Sequence, residues 1–258
     1  MGGSGTTAQV TPKHLVEYLV ESAQQEPGID VRLGTTATGL ETNADGRVKG
    51  LRVKNSRGAE ETIDCDRIVV TAGPWTGSLI KSLSSTSPSS ALFRKARTID
   101  GSRAHSVVIR GTGPTSEHCL FTAMRYGDGG RQAGEPEVYA RSDGTTYVCG
   151  GGDDEPLPPT ADEVTYDQAK TAKLIEQTRV LSPDVLGEKA TVVKEQACYL
   201  PGGSFNGPLI DGDANKGIYV AAGHTCWGIT LGPGTGKVMS ELLYDGEVTS
   251  ASIDKLRA

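Results

Sequence analysis

The chain has 258 residues, with 26 Lys and Arg against 32 Asp and Glu, for a formal net charge of -6; that length can bury a substantial core as one large domain or two intimate ones. The charges are interspersed and form no basic stripe, which argues against nucleic acid as a partner, and no apolar run reaches the length of a membrane span. The five cysteines (Cys65, Cys119, Cys149, Cys198, Cys226) form no CxxC pair and the four histidines no HExxH, so reduced thiols in a cytoplasmic protein, without a metal site, are the expectation.

Taken in chain order, the Met-Gly-Gly-Ser-Gly start lacks the apolar segment of a signal peptide. Thr6 completes a myristoylation pattern of a kind that arises often by chance. Thr11-Pro12 reads as a helix start, an N-cap hydroxyl followed by proline in the first turn. Leu15, Val16, Leu19, Val20 and Ala23 then fall on one face, and Pro27-Gly28 ends the helix. A short strand is expected over Ile29 to Leu33. From Thr35 to Asp66 the pattern is a β-meander anchored by Val48, Leu51 and Val53, with turns at Ala44-Asp-Gly46 and Ser56-Arg-Gly58. Arg67 to Thr71 is a buried strand running into Ala72-Gly73-Pro74-Trp75. A glycine there lets backbone approach something bulky, or simply turns a corner.

Ser82 to Ser90 reads as a surface linker. Strands are expected over His105 to Arg110, Glu117 to Ala123, Glu137 to Arg141 and Thr145 to Cys149, with Ser142-Asp-Gly144 as a hairpin signal and a mobile glycine-rich loop over Tyr126 to Pro136. Thr160-Ala-Asp-Glu163 is a capping box expected to open a helix running to about Val180. A strand over Val192 to Leu200 leads towards the C-terminal stretch.

That stretch, Gly217 to Tyr244, reads as a buried strand (Ile218 to Ala222), a glycine-punctuated loop (Gly223 to Pro233) and a helix with Val238, Met239, Leu242 and Leu243 on its apolar face. Gly232, Gly234 and Gly236 are expected to crowd the first turn. Bare N–H groups there would favour an anion; close packing of the helix on a sheet would need the same small residues. Gly-Thr-Gly-Lys237 is not a P-loop, since Leu231 and Val238 stand where that motif needs Gly and Ser or Thr.

As a whole, Val220-Ala-Ala-Gly-His224, Trp227-Gly-Ile-Thr-Leu-Gly-Pro233 and Gly236 resemble the C-terminal flavin motif of the FAD-dependent D-amino acid oxidase superfamily. Ile68-Val-Val-Thr-Ala-Gly-Pro-Trp75 resembles the segment of that family passing under FAD. Thr7-Ala-Gln-Val-Thr-Pro-Lys-His14 resembles the stretch where the family chain leaves its substrate domain. The resemblance covers about Thr7 to Gly246. It implies an α/β (α+β) fold, the C-terminal part of a two-domain flavoprotein. Residues 1–84 would be the second half of the FAD-binding domain, 85–196 an antiparallel substrate domain, and 197–258 the C-terminal FAD-binding segment. The implied cofactor is FAD, and the implied chemistry is oxidation of a C–N bond of an amine or amino-acid-like substrate by hydride transfer to flavin.

The resemblance assigns cofactor contacts to Ala72, Gly73, Trp75, Gly223, His224, Gly228, Ile229, Thr230 and Leu231, and an adenine-side position to Ala37 or Thr38. His224, Trp227 and Tyr199 are the catalytic candidates, and Tyr199, Arg141 and Cys226 the substrate candidates. Tyr199, Cys226 and Thr230 stand where relatives with small amino-acid substrates carry Arg, Arg and Lys. Each loses a cation suited to a carboxylate, although Arg110, Arg125 or Arg141 could supply one from another direction. Sarcosine oxidases attach FAD through a cysteine that aligns with Ala197; Cys198, one residue on, faces the other side of a strand and is expected unmodified. The family's Gly-x-Gly-x-x-Gly unit does not occur in the sequence. Two readings stay open: an oxidoreductase represented by its C-terminal portion, or a silent remnant that binds a partner through an exposed half-site.

Overall fold

The computed structural model describes Gly5 and residues 8–83, 90–116 and 118–258. In chain order the elements are α1 (Pro12–Gln24), β1 (Thr35–Thr42), β2 (Val48–Asn55), β3 (Glu60–Asp64), β4 (Ile68–Val70), α2 (Thr76–Leu83) and α3 (Ala91–Ala96). Next come β5 (Asp100–Arg110), β6 (Cys119–Phe121), β7 (Met124–Tyr126), β8 (Gln132–Gly134), β9 (Glu137–Ala140), β10 (Thr145–Asp153), α4 (Gln168–Leu181) and α5 (Pro183–Leu186). The chain closes with β11 (Thr191–Gly202), β12 (Leu209–Asp213), β13 (Ile218–Ala222) and α6 (Gly228–Tyr244). The result is a mixed α/β fold with several antiparallel ladders and a parallel pairing of β4 with β13. No helix among the described residues is long and apolar enough to cross a membrane.

Two compact units divide the chain: Met1–Glu26 with Arg103–Tyr199, and Pro27–Ser102 with Leu200–Ala258. The sequence reading set its boundaries at 84/85 and 196/197, and placed α1 with the meander rather than with the central region.

The first unit is built on a five-stranded sheet, order β11-β5-β10-β9-β6. Val107, Val148 and Val138 are register partners across three strands. With Ile109, Leu174 and Leu186 they form the core on the face that α4 covers. The expected helix from Thr160 does not form in one piece. Its capping box is present but closes a single 3-10 turn, Ala161–Glu163, and α4 is capped only at Asp167, whose carboxylate accepts from Ala169 N at 2.7 Å. The interruption has a cause. Thr165 O accepts from Arg103 Nη1 at 3.1 Å, and Asp167 N donates to His105 Nε2 at 3.0 Å, so this backbone is spent on tertiary bonds.

The glycine-rich segment expected to be a loop is instead the two-stranded β7–β8 hairpin, pinned by Gln177 Nε2 donating to buried Tyr126 at 3.1 Å. Helix α1 forms as expected with Pro12 at its start, yet Thr11 makes no side-chain cap and no α1 residue is buried. The Lys13–Glu17 pair at 3.6 Å on its surface contributes about 0.3–0.5 kcal/mol.

The second unit holds the meander β1-β2-β3 and the sheet β12-β13-β4. Gly46 (φ +78°) and Gly58 (φ +84°) occupy the two meander turns, where a side chain would be strained. Ile80, Leu83, Phe93, Leu209 and Val220 are almost wholly buried between strands and helices, each worth about 1.5–3 kcal/mol in transfer free energy. The strand expected over Ile29 to Leu33 is absent: no neighbour offers it a ladder, and Leu33 is 87% exposed. The expected Ser82 to Ser90 linker lies mostly outside the described residues. Its ends belong to α2 and to the N-cap of α3, where Ser90 Oγ accepts from Phe93 N at 3.1 Å.

Candidate functional site

Strands β4 and β13 are parallel neighbours, with Ile68, Val69 and Val70 opposite Ile218, Tyr219 and Val220. β13 is buried throughout, whereas β4 buries Ile68 and Val70 and leaves Val69 39% exposed; the two strands end beside each other, so the loops leaving their carboxyl ends are adjacent. The loops follow one plan. Gly73 (φ +53°) and Gly223 (φ +86°) sit at equal distance past the last strand pair. A single 3-10 turn follows in each, Gly73–Trp75 and Thr225–Trp227. Each turn is closed by a tryptophan N–H, Trp75 to Ala72 O at 3.0 Å and Trp227 to His224 O at 2.9 Å. Each then runs straight into a helix, α2 or α6. Ligands of open α/β sheets collect outside carboxyl strand ends of this kind.

Helix α6 starts at Gly228, earlier than the sequence reading placed it, and Pro233 lies inside it. Gly232, Gly234 and Gly236 are therefore in later turns, and the first turn is Gly228 to Leu231. The correction follows from its C-terminal half. Val238, Met239 and Leu242 are buried against Ile210, Tyr219, Ala221 and Ile253, and this packing carries the helix through residues that would end an isolated one. The N-terminal half is bare: Trp227 is 59%, Ile229 50% and Leu231 40% exposed. A Cβ placed at Gly232, Gly234 or Gly236 would meet nothing within 4 Å. No side chain caps this helix and its first turn carries no acid, so the N–H groups of Gly228, Ile229 and Thr230 have no intrahelical acceptor.

The loop before α6 holds two features that the sequence does not signal. Thr225 has φ +51°, the one positive value at a non-glycine among the described residues. For a β-branched residue this is a strained conformation of the sort concentrated at ligand sites. His224 Nε2 lies 2.9 Å from Thr235 Oγ1, which ties the loop to the second turn of the helix. Burial pushes this imidazole below its usual value, which favours the neutral ring.

The second unit thus brings together Ala72, Gly73, Trp75, Gly223, His224, Cys226, Trp227 and Gly228 to Leu231. Ala37 and Thr38 belong to the meander strand β1. Ala37 packs against the core, while Thr38, at a β-bulge, donates to Arg52 O at 3.3 Å. Tyr199 and Arg141 belong to the first unit. The Tyr199 ring is buried and its hydroxyl donates to Pro156 O at 2.9 Å. Arg141 stacks over Tyr147 at 5.0 Å, and Arg110 donates to Asp143 O at 3.3 Å.

The chain belongs to the FAD-dependent oxidoreductase (DAO) family, whose description matches residues 3–242. Among curated proteins it is 36% identical over 99% of its length to "Putative oxidoreductase C1F5.03c" of Schizosaccharomyces pombe, of which it covers 65%. It is 23% identical over 93% of its length to the glycine oxidase of Pseudomonas putida, covering 57% of that protein. The chain therefore spans a little over half to two thirds of the length of these relatives. Its fold is that of the crystal structure of glycine oxidase from Bacillus cereus, with a TM-score of 0.62 and 17% identity over 85% of this chain and 52% of that one.

The residues present fit the family's cofactor where they can be tested. A polar, electron-accepting ring edge needs donors without competing acids, and the α6 start supplies uncapped N–H groups with no carboxylate. Close approach of backbone needs no side chain in the way, and Gly73 offers open space where its Cβ would stand.

Proposed function

We propose that this chain is the C-terminal portion of a flavin-dependent oxidoreductase that oxidises a C–N bond of an amine or amino-acid-like substrate. The observation carrying the reading is the pair of parallel strand-to-helix corners, one of which ends in an exposed, uncapped helix start, within a chain of this family. When bound, FAD would accept the hydride equivalent from the carbon beside nitrogen. Gly228, Ile229 and Thr230 would hold negative charge at their N–H groups, favoured by the helix dipole. Ala72, Gly73 and Gly223 would let the backbone come close. Neutral His224, held by Thr235, would orient the loop without adding a cation, and Trp75 and Trp227 would flank the site.

Cys226, Tyr199 and Thr230 supply no charge for a carboxylate, and the Tyr199 hydroxyl is already spent on Pro156. This favours an amine, or an amino acid bound by other groups, over a free small amino acid. The test is a visible absorbance spectrum of the purified protein, as isolated and after excess FAD. A bound-flavin spectrum bleached anaerobically by an amine supports the reading; a protein that FAD neither colours nor stabilises against heat overturns autonomous catalysis. The exposure of Trp227, Ile229 and Leu231 favours a second reading, in which this apolar half-site is covered by a partner and flavin binds only in that complex. Titrating FAD with and without the missing length of a relative separates the two.

A further inference from the structure

The five-stranded sheet has a second face, opposite the valine core. Strand alternation puts Tyr147 and Cys149 of β10 there, and the register aligns them with Tyr139 and Glu137 of β9. Cys119 and Phe121 of β6 continue the same two rows. The face carries a line of three aromatic rings. Phe121 and Tyr139 meet edge to face with centroids 5.9 Å apart, and Tyr139 and Tyr147 are 6.0 Å apart. Beside them is the Glu137 carboxylate. Its Oε2 accepts from the Tyr139 hydroxyl at 2.6 Å and from the Cys149 thiol at 3.8 Å. Its Oε1 accepts nothing, and the group forms no ion pair, among the described residues.

A carboxylate set among aromatic rings without a basic partner is out of balance. Charge on a half-buried group is costly unless matched, and the rings offer their negative faces to the same kind of ligand that the carboxylate would attract. Tyr139 holds Oε2 in place and leaves Oε1 for another donor. The chain itself uses the chemistry: the Arg141 guanidinium lies 5.0 Å over the Tyr147 ring.

We propose that Glu137, Tyr139 and Phe121 form a binding site for an organic ammonium group, seated beside the Tyr147 ring that Arg141 already covers, with Glu137 Oε1 as its charge partner. As the assignment of a substrate group this rests on the oxidoreductase reading above; as a binding site it needs no flavin. It selects ligands by positive nitrogen rather than by carboxylate, and it lies wholly within the first unit.

The test is a calorimetric titration of the full chain, without added FAD, with choline and with its neutral carbon isostere 3,3-dimethylbutan-1-ol. Saturable choline binding at least about ten-fold tighter than that of the alcohol is expected. Glu137→Gln should weaken choline binding by about ten-fold or more, and Phe121→Ala, at a 71% exposed ring, should weaken it about three-fold. Unchanged thermal melts identify both variants as folded, and the Phe121 variant stands if Glu137→Gln does not fold. Absent choline binding, equal affinity for the neutral isostere, or a Glu137→Gln variant that binds as tightly as wild type overturns the proposal. Choline binding in a protein that takes up no FAD supports the site while counting against autonomous catalysis.

Discussion

The two strand-to-helix corners share a plan and differ in what closes them. At the β4–α2 corner, Thr76 is fully buried and Gly77 is pressed against the chain's own backbone, where a Cβ would stand 2.2 Å from Ile99 O and 2.9 Å from Arg97 O. At the β13–α6 corner the helix start faces outward, and its glycines meet no neighbour that a methyl group would displace. The difference separates two uses of the same small residue. In the first corner Gly77 admits the protein's own main chain, a matter of packing, while Gly73 before it stands open. In the second it leaves backbone bare, which fits a ligand brought from outside.

Substitutions sharpen this contrast. The largest effect is expected for Gly77→Ala, where the clash is with backbone rather than a flexible side chain; a loss of about 3 kcal/mol or more in urea unfolding is expected. A near-neutral result would mean that the first corner is as open as the second. Thr235→Val removes the hydroxyl that holds His224 and should cost about 1 kcal/mol by the same measurement. Gly232→Ala should go the other way, with a gain of about 1 kcal/mol from helix propensity in open space. Paired with an FAD titration, Gly228→Ala should leave stability within about 1 kcal/mol yet lower flavin affinity. Flavin binding indifferent to that methyl group would remove the open corner from the cofactor site.

The smallest effect concerns pH. The His224 imidazole is lowered from 6.5 by burial, so the folded state binds the proton less well than the unfolded chain does. Stability from this group is full above the unfolded value and is lost as pH falls below it. The β4–α2 corner, Thr71 to Gly77, contains no titratable side chain. His224→Gln should therefore flatten the slope of unfolding free energy between pH 8 and 5, and an unchanged slope would place the titration elsewhere.

Much of the second unit was legible because its signals are local and chemically restrictive. Meander turns need glycine at positive φ, and the Val-Ala-Ala-Gly strand with the helix behind it is long and patterned. The start of α6 was misplaced because glycine and proline are breakers on their own terms, whereas Val238, Met239 and Leu242 hold the helix through packing with distant strands. The capping box at Thr160 misled for a related reason, since the claims of Arg103 and His105 on residues 165 and 167 come from sequence positions about sixty residues away. The likeness of the two corners was visible as Gly-Pro-Trp75 and Gly-His-Thr-Cys-Trp227, but only the parallel register sets them side by side. Thr225 could not be foreseen, because threonine is a poor residue for that backbone region.

Pro233 gives α6 two halves with different lifetimes in heavy water. Proline has no N–H, so Ile229 O lacks its usual donor, and the amides of Gly228 to Thr230 have no carbonyl behind them in the helix. Deuterium should enter this end within the shortest labelling times, while the amides of Met239 to Leu243, above a packed face, stay protected until the unit opens as a whole. One continuous helix would then report two clocks, and a ligand seated on its first turn would slow only the faster one.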